Sequence, residues 1–402
     1  MNILFIINTL EPGGAEVFVL RLSVALQKQG HKVYIMPMYA EKTNKEFASL
    51  FSKHTISILS RYTNPSRFNE WLFWKMNAIA YVLGKKGFYS QLRKNDAKKY
   101  YKKIIYKHSI DVINSHLKES DYFATQYIKS FIPISVVLTL HSSYNKVNYD
   151  KSNEKTAFVK QAENIFNAAD YIICVAEENK FITTLFSKPC TTKIEKVYIG
   201  YEKPEEIKEA EFKIDENKCN IIMVGRGIAE KGWEIAIQSF LLVDKKIRKH
   251  VQFLLICPKT EYIQSLEEKY KTEESVIFTG YQSNTEYYFS LAQFALLPSK
   301  SESLPVSIIE ELSFGIPIIA TNVGEINDMI QTTHNEYAGV ILKHSFNEEQ
   351  IKEEIAQIII QYISNNSILR KHSNFAKQAF EKFSMDRCVS RYEDIFLHVS
   401  SK

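Results

Sequence analysis

Two hydrophobic rhythms alternate along this chain. Short unbroken apolar runs are followed by longer stretches whose apolar residues recur every three to four positions. In the first half, Ile3–Ile7, Lys32–Met36, Asp111–Asn114, Ser135–Leu140 and Tyr171–Val175 read as strands, and Ala15–Gln29 reads as an amphipathic helix. In the second half the strand runs are Asn220–Val224, Val251–Ile256, Val276–Thr279, Phe294–Leu297 and Ile318–Ala320. Their apolar character does not alternate, which points to parallel strands covered on both faces. Strand and helix in alternation predict an α/β architecture of doubly wound sheets, with ligands held at the carboxyl ends of the strands. Met385–His398 has the spacing of a terminal amphipathic helix, and Glu202–Lys218 is acidic and poor in apolar residues. The expected organisation is a first Rossmann-like domain over 1–199, a linker over 200–218, a second Rossmann-like domain over 219–380, and a closing segment over 381–402.

Length supports the division, because 402 residues exceed one typical core. The hydrophobic share of 45% and charged share of 24% are those of an ordinary globular protein. No apolar run approaches the ~18 residues of a membrane-spanning helix. Five scattered cysteines form no paired spacing, which fits a reduced, cytoplasmic setting better than a disulfide framework or a zinc site. Met1–Asn8 reads as a strand, not as a targeting segment. Charge is unevenly placed: residues 1–200 hold 28 Lys and Arg against 16 Asp and Glu, whereas residues 201–402 hold 23 against 30. The basic half suits an anionic surface or an anionic acceptor.

Candidate chemistry concentrates in the second half. The run Ser301-Glu302-Ser303-Leu304-Pro305-Val306-Ser307-Ile308-Ile309-Glu310 reads as a loop entering a helix. Ser303 is a plausible N-cap and Pro305 suits the first helical turn. Free N–H groups at such a start favour phosphate; since Pro305 has none, Leu304 and Val306 are the backbone donors. Glu302 and Glu310 flank this cradle. Glu310 sits on an apolar helix and needs a partner, either a ligand hydroxyl or a structural Arg or Lys. Arg226 and Lys231 follow a strand in Gly225-Arg226-Gly227-Ile228-Ala229-Glu230-Lys231-Gly232, where two cations can clamp a pyrophosphate or remain solvated loop charges. Gly13 and Gly14 follow the first strand, where they allow either close backbone approach to a ligand or a plain turn. His141 ends a strand; a histidine there can donate to a sugar hydroxyl or serve only as a structural hydrogen-bonder. His116, at the end of Asp111–Ser115, is a weaker second candidate, for which the structural hydrogen-bonding reading is preferred. From Trp71 to Lys107 aromatic residues (Trp71, Phe73, Trp74, Tyr81, Phe88) adjoin a run of lysines, as on a helix resting on an anionic membrane surface or on a merely solvated face.

Ser-Glu-Ser-Leu-Pro-(x4)-Glu, followed by Gly315-Ile316-Pro317-Ile318-Ile319-Ala320-Thr321-Asn322-Val323-Gly324, resembles the donor site of the family-4 retaining glycosyltransferases, which have the GT-B fold. The resemblance spans the chain in outline, and its specific motifs lie in residues 221–330. It implies two Rossmann-like domains facing across a cleft, with the closing helix bracing the first. It also implies a UDP- or GDP-linked sugar donor, no cofactor, no metal, and a saccharide or lipid-linked acceptor in surface polysaccharide biosynthesis. Glu302 would touch the transferred sugar, Glu310 the nucleotide's ribose, and Arg226 and Lys231 the leaving diphosphate. His141 would line the reaction centre, and Gly13-Gly14 would lie across from the donor phosphates. The setting would be cytoplasmic, peripheral on the inner face of the cell membrane through residues 71–107. The chain has no Asp-x-Asp, the metal-holding motif of the other major glycosyltransferase fold. It departs from the family at Ile199, where an Asn is usual, and at Glu325, where a glycine is usual.

Other readings compete. A nicotinamide oxidoreductase would need Gly-x-Gly-x-x-Gly, which neither glycine loop supplies. A nucleic-acid-binding protein would use the basic half, although no nucleic-acid motif accompanies it. A non-catalytic partner subunit would keep the fold and turn over no donor.

Overall fold

A computed structural model describes residues 1–39, 41–59, 88–141, 153–180, 193–210, 212–343 and 347–401, with side chains not described in 88–94 and 153–159. The aromatic stretch from Trp71 to Tyr81, with Lys85 and Lys86, lies outside the described residues. The chain forms two compact units: Met1–Gly200 with Met385–Lys402, and Tyr201–Ser384.

Unit 1 is built on seven parallel strands: β1 (Asn2–Ile7), β2 (Lys32–Pro37), β3 (Ser57–Ile58), β4 (Val112–His116), β5 (Ser135–Leu140), β6 (Tyr171–Cys174) and β7 (Lys193–Lys196). Their order is β3-β2-β1-β4-β5-β6-β7. The apolar runs fill the middle of this sheet, where Ile3, Phe5, Ile7, Val112, Val136 and Ile172 are fully buried. Helix Gly14–Lys28 covers one face with Phe18, Val19, Leu22 and Leu26. The C-terminal helix Met385–Ser400 packs on β4, β5 and helix Gly14–Lys28. Its inward stripe, Cys388, Val389, Tyr392, Ile395, Phe396 and Val399, follows helical spacing.

Unit 2 has six parallel strands: β8 (Cys219–Val224), β9 (Val251–Ile256), β10 (Val276–Gly280), β11 (Phe294–Leu297), β12 (Ile318–Ala320) and β13 (Gly339–Ile341), ordered β10-β9-β8-β11-β12-β13. Helices Trp233–Leu241 and Glu348–Ser364 pack together on one face, joining Trp233, Phe240, Phe253 and Phe294 in one core.

The segment expected to be a linker behaves otherwise. Tyr201, Ala210 and Ile214 are buried, the Tyr288 hydroxyl donates to Phe212 O at 2.8 Å, and Asn284 donates to Lys208 O. Residues 201–218 belong to unit 2; low apolar content hid a few well-placed anchors. The helix that carries Glu310 also differs in detail. It spans Val306–Ser313 with Pro305 as the N-cap residue, so Ser303 lies two residues before the cap.

Both sheets have a topological switch point. In unit 1 the chain runs outward from β1 through β2 to β3, then returns to β4 on the other side of β1. In unit 2 it runs from β8 through β9 to β10 and returns to β11 beside β8. The loops leaving such neighbouring strands diverge and open a crevice at their carboxyl ends.

Candidate functional site

In unit 2 the two loops at the switch point carry Arg226 and Lys231 after β8, and Glu302 to Val306 after β11. They are tied together: Lys300 N–H donates to Glu230 O at 2.8 Å, and Lys231 Nζ meets both carboxylate oxygens of Glu302 at 2.6 and 2.8 Å. Ser299, fully buried, adds a hydroxyl donor to Glu302 Oε1 at 2.7 Å. The Lys231 and Glu302 side chains are 12% and 7% exposed, so removing one partner would strand a nearly buried charge, at a cost of about 3–5 kcal/mol. Arg226 is exposed, while its carbonyl accepts from the indole N–H of buried Trp233 at 3.0 Å. The loop is thus anchored through its backbone and leaves the guanidinium in solvent.

Two glycines set the spacing of these loops. Gly232 has φ +79, and a Cβ there would lie 2.2 Å from Pro298 O. Gly324 has φ +58, and its Cβ would lie 2.3 Å from Glu302 O. Only glycine meets both the left-handed backbone and the close approach. Glu325 has φ −85, an ordinary conformation that requires no glycine, and its N–H donates to Ser303 O at 3.0 Å. The loop after β12 therefore clamps the backbone of Glu302 and Ser303 from behind. The Ser303 hydroxyl is buried, with no hydrogen-bond partner among the described residues. Val306 and Ser307 begin the helix, where backbone N–H groups lack intrahelical acceptors. Glu310 is half-buried on this helix, and its neighbour Glu311 is the carboxyl that turns inward, 2% exposed. Burial, followed by the nearby Glu310 charge, pushes the Glu311 carboxyl well above the usual carboxylate range.

At the switch point of unit 1, Gly13 and Gly14 stand where the loop after β1 enters its helix, His116 is the last residue of β4, and His141 follows β5. Gly13 has φ −149, extended backbone open to any residue, but a Cβ there would lie 2.6 Å from Glu16 Oε2. Its smallness accommodates that buried carboxyl, which accepts from Thr9 Oγ1 at 3.2 Å and is raised by burial. Gly14 faces open space. His116 is fully buried and ends β4. Its Nδ1 lies 2.9 Å from His141 Nε2, and its Nε2 lies 3.0 Å from Asn114 Oδ1. Burial lowers the His141 imidazole to about 4, and burial, then the neighbouring His141, lowers His116 further below its ordinary value. Both rings are neutral near pH 7. Leu117, immediately after His116, has φ +76 and ψ 149, a backbone region that costs a non-glycine residue on the order of 1–3 kcal/mol.

A pocket of about 510 Å³ opens in unit 1 beside β2 and β4. Its wall includes Tyr39, Tyr101, Tyr122, Phe123 and Tyr127, with Lys118 and Glu119. Helix Phe88–Lys107 contributes Tyr101 to the pocket and exposes Lys99, Lys102, Lys103 and Lys107 on its outer face. Among the described residues, no cluster of three or more His, Cys, Asp or Glu is placed to hold a metal ion, and no helix is long and apolar enough to cross a membrane.

The sequence singles out Arg226, Lys231, Glu302, Leu304, Val306 and Glu310, and all six lie on the switch-point loops of unit 2 or the helix that follows. It does not single out Ser299, Glu16, Asn114 or the inward turn of Glu311. No local pattern announces them, because Ser299, Glu16 and Asn114 act on Glu302, Thr9 and Thr139, which are 3, 7 and 25 residues away, and Glu311 lies on a helix whose two apolar faces leave its direction open.

Comparison with known proteins bears on the family and the fold. Residues 204–381 match the model described as Glycosyl transferases group 1, and residues 12–183 match Glycosyltransferase Family 4. An uncharacterized glycosyltransferase of Methanocaldococcus jannaschii is 24% identical over 308 residues, covering 74% of this chain and 78% of that protein. Alpha-monoglucosyldiacylglycerol synthase of Streptococcus pneumoniae is 22% identical over 418 residues, covering 94% of this chain and 83% of that protein. Among solved structures, the HepE protein of Anabaena in complex with UDP superimposes with a TM-score of 0.70 at 16% identity, covering 99% of this chain and 100% of that one.

Proposed function

Because the chain belongs to the family-4 glycosyltransferases of the GT-B fold, we propose that it transfers a hexosyl group from a UDP- or GDP-linked sugar to a hydroxyl of a lipid-linked saccharide, with retention and without a metal. The observation that carries this reading is the gathering of Arg226, Lys231, Glu302 and a helix start at the switch point of unit 2. The free N–H groups of Leu304, Val306 and Ser307 take the phosphate oxygens. Arg226 and Lys231 take the charge that builds on the departing diphosphate. The acceptor oxygen bonds to the anomeric carbon as the bond from that carbon to the phosphate oxygen breaks, and the hydroxyl proton passes to the departing phosphate. Glu302 accepts from a hydroxyl of the transferred sugar, and Glu310 from the ribose. Lys231 is already paired with Glu302, so the two act as a preset unit whose carboxylate is held in place before donor arrives.

The aromatic pocket of unit 1 fits the acceptor. Tyrosine rings offer flat faces to a sugar or an acyl chain and hydroxyls to polar groups. The alpha-monoglucosyldiacylglycerol synthase relative, whose name specifies a glycolipid, supports a lipid-linked acceptor. The exposed lysine face of helix Phe88–Lys107 suits anionic headgroups, and this supports a peripheral position on the inner face of the membrane.

Calorimetric titration with UDP and GDP tests the donor site. One nucleotide should bind, and Arg226→Ala should weaken it about tenfold or more, since a charge-assisted pair to phosphate is worth roughly 1.5–3 kcal/mol. Arg226 is the cleaner probe because its guanidinium is exposed, whereas Lys231→Ala also strands Glu302. Absence of binding by either nucleotide at millimolar concentration would sink the assignment.

A further inference from the structure

The histidine at the end of β5 does not stand alone. Asn114, His116 and His141 form one hydrogen-bonded line within unit 1, and its end groups fix where every proton sits. The line starts at the carbonyl of Val137, which can only accept. Asn114 Nδ2 lies 3.0 Å from that oxygen and 3.1 Å from Thr139 Oγ1, so the amide must turn its NH₂ toward β5. Its Oδ1 therefore faces His116 Nε2, at 3.0 Å. An amide oxygen cannot donate, so His116 carries its proton on Nε2. His116 Nδ1 is then a lone pair, and it faces His141 Nε2 at 2.9 Å. His141 must donate from Nε2. A neutral ring has one N–H, so Nδ1 of His141 is an acceptor.

The surroundings hold this arrangement. Asn114 and Val137 are cross-strand partners, as are His116 and Thr139. Phe5 and Phe18 pack their rings against His116, and Phe18 also packs against His141. The Thr139 hydroxyl lies 3.2 Å from the Tyr392 hydroxyl, which is fully buried on the C-terminal helix. Asn179 Nδ2 donates to the carbonyls of Leu140 and His141 at 2.9 and 3.0 Å, fixing the backbone beneath the ring. Burial keeps both imidazoles neutral near pH 7.

We propose that Asn114 and His116 are positioning residues that hold His141 in its Nε2–H tautomer, so that it offers bound sugar a hydrogen-bond acceptor at Nδ1 and not an N–H. The sequence alone suggested a donor at this position; the line of partners reverses that role. A ring of this kind selects a hydroxyl pointing at it, and disfavours an approaching oxyanion or carbonyl, which have no proton to give. This rests on the glycosyl-transfer reading for the identity of the hydroxyl, whereas the tautomer itself does not.

Histidine-selective ¹⁵N labelling of the full chain reads the protons directly. His141 is assigned by the signals lost in His141→Gln. At pH 7 its Nε2 should give a protonated, pyrrole-type signal and its Nδ1 an unprotonated, pyridine-type one. In His116→Phe the acceptor is gone, and the two His141 tautomers should mix. The turnover number should then fall about tenfold or more, with donor KM held within about twofold, as expected when a mis-set tautomer spoils a reacting geometry but not binding. His116→Gln returns a carbonyl oxygen beside His141 and should recover part of that loss. A protonated Nδ1 in the wild-type spectrum overturns the proposal even if no variant folds. An unchanged tautomer and turnover in a folded His116→Phe protein overturns it as well. A chain that binds and transfers no nucleotide sugar would overturn the proposed function instead, and would leave the wild-type spectrum readable.

Discussion

Adjacent glutamates on helix Val306–Ser313 have opposite surroundings. Glu310 is half-buried at the switch point, and Glu311 points into the core among Ile308, Ile309 and Leu312. With its carboxyl raised well above the usual range by burial, Glu311 binds a proton on folding. Below the unfolded value of about 4.3 both states are protonated and nothing is lost. Above it the unfolded chain ionises and the folded one does not, so the carboxyl destabilises the fold increasingly until pH passes the folded value. Glu311→Gln should therefore raise the thermal midpoint at pH 7–8 by about 2 °C or more, with the gain vanishing near pH 4. Melting curves of the two proteins at both pH values check this; an equal midpoint at pH 7 would mean that Glu311 is ionised and paired. The spacing of Glu302 and Glu310 was legible in the sequence. Which member of the Glu310-Glu311 pair turns inward was not, because a helix covered on two sides leaves two faces apolar. The Lys231–Glu302 pair was also hidden, since its members approach only when β8 and β11 become neighbours.

At the scale of elements, apolar runs announced most of the long central strands, because burial on both faces disfavours polar side chains. β4 departs from this, since Asn114, Ser115 and His116 are buried there with hydrogen-bond partners. The strands that escaped notice are short or at edges. β3 has two residues, β13 three, and β7 reads Lys193-Ile194-Glu195-Lys196, whose charged residues belong to an exposed edge. A polar tie helps to hold β7. Arg391 of the C-terminal helix grips Glu195 with Nε on Oε1 at 2.5 Å and Nη2 on Oε2, and the Tyr171 hydroxyl donates to Glu195 Oε2 at 2.6 Å. The Arg391 hydrogen bonds hold the Glu195 carboxyl below its usual value. A depressed acid stabilises the fold above its unfolded value, and that contribution is lost as pH falls through the folded value. Arg391→Met should lower the thermal midpoint at pH 7 by about 2 °C or less, since both side chains are partly exposed and solvent screens the pair. The gap should close as pH drops below about 4. A gap that persisted at pH 3 would assign the loss to packing of the arginine stem.

For the whole molecule, the chain path separates the two units unequally. Unit 2 is one continuous stretch, Tyr201–Ser384, and it contains Arg226, Lys231, Glu302, Leu304, Val306 and Glu310. Unit 1 is assembled from Met1–Gly200 and Met385–Lys402, with the returning helix burying Met385, Cys388, Val389, Tyr392, Ile395, Phe396 and Val399. At about 1.5–3 kcal/mol for each large apolar side chain, the helix contributes on the order of 10 kcal/mol, as much as the whole net stability of a typical domain. Cutting after Ser384 should therefore unfold unit 1 and spare unit 2. The fragment 201–384 should melt cooperatively and bind the same nucleotide as the full chain, within about tenfold if unit 2 supplies most of the contacts. The fragment 1–384 should show exposed apolar surface by dye binding while retaining that nucleotide affinity. Calorimetry on both fragments reads the outcome. Loss of binding in a folded 201–384 fragment would show that the contacts of unit 2 do not suffice for the nucleotide, and would overturn the assignment of the donor site to unit 2 alone.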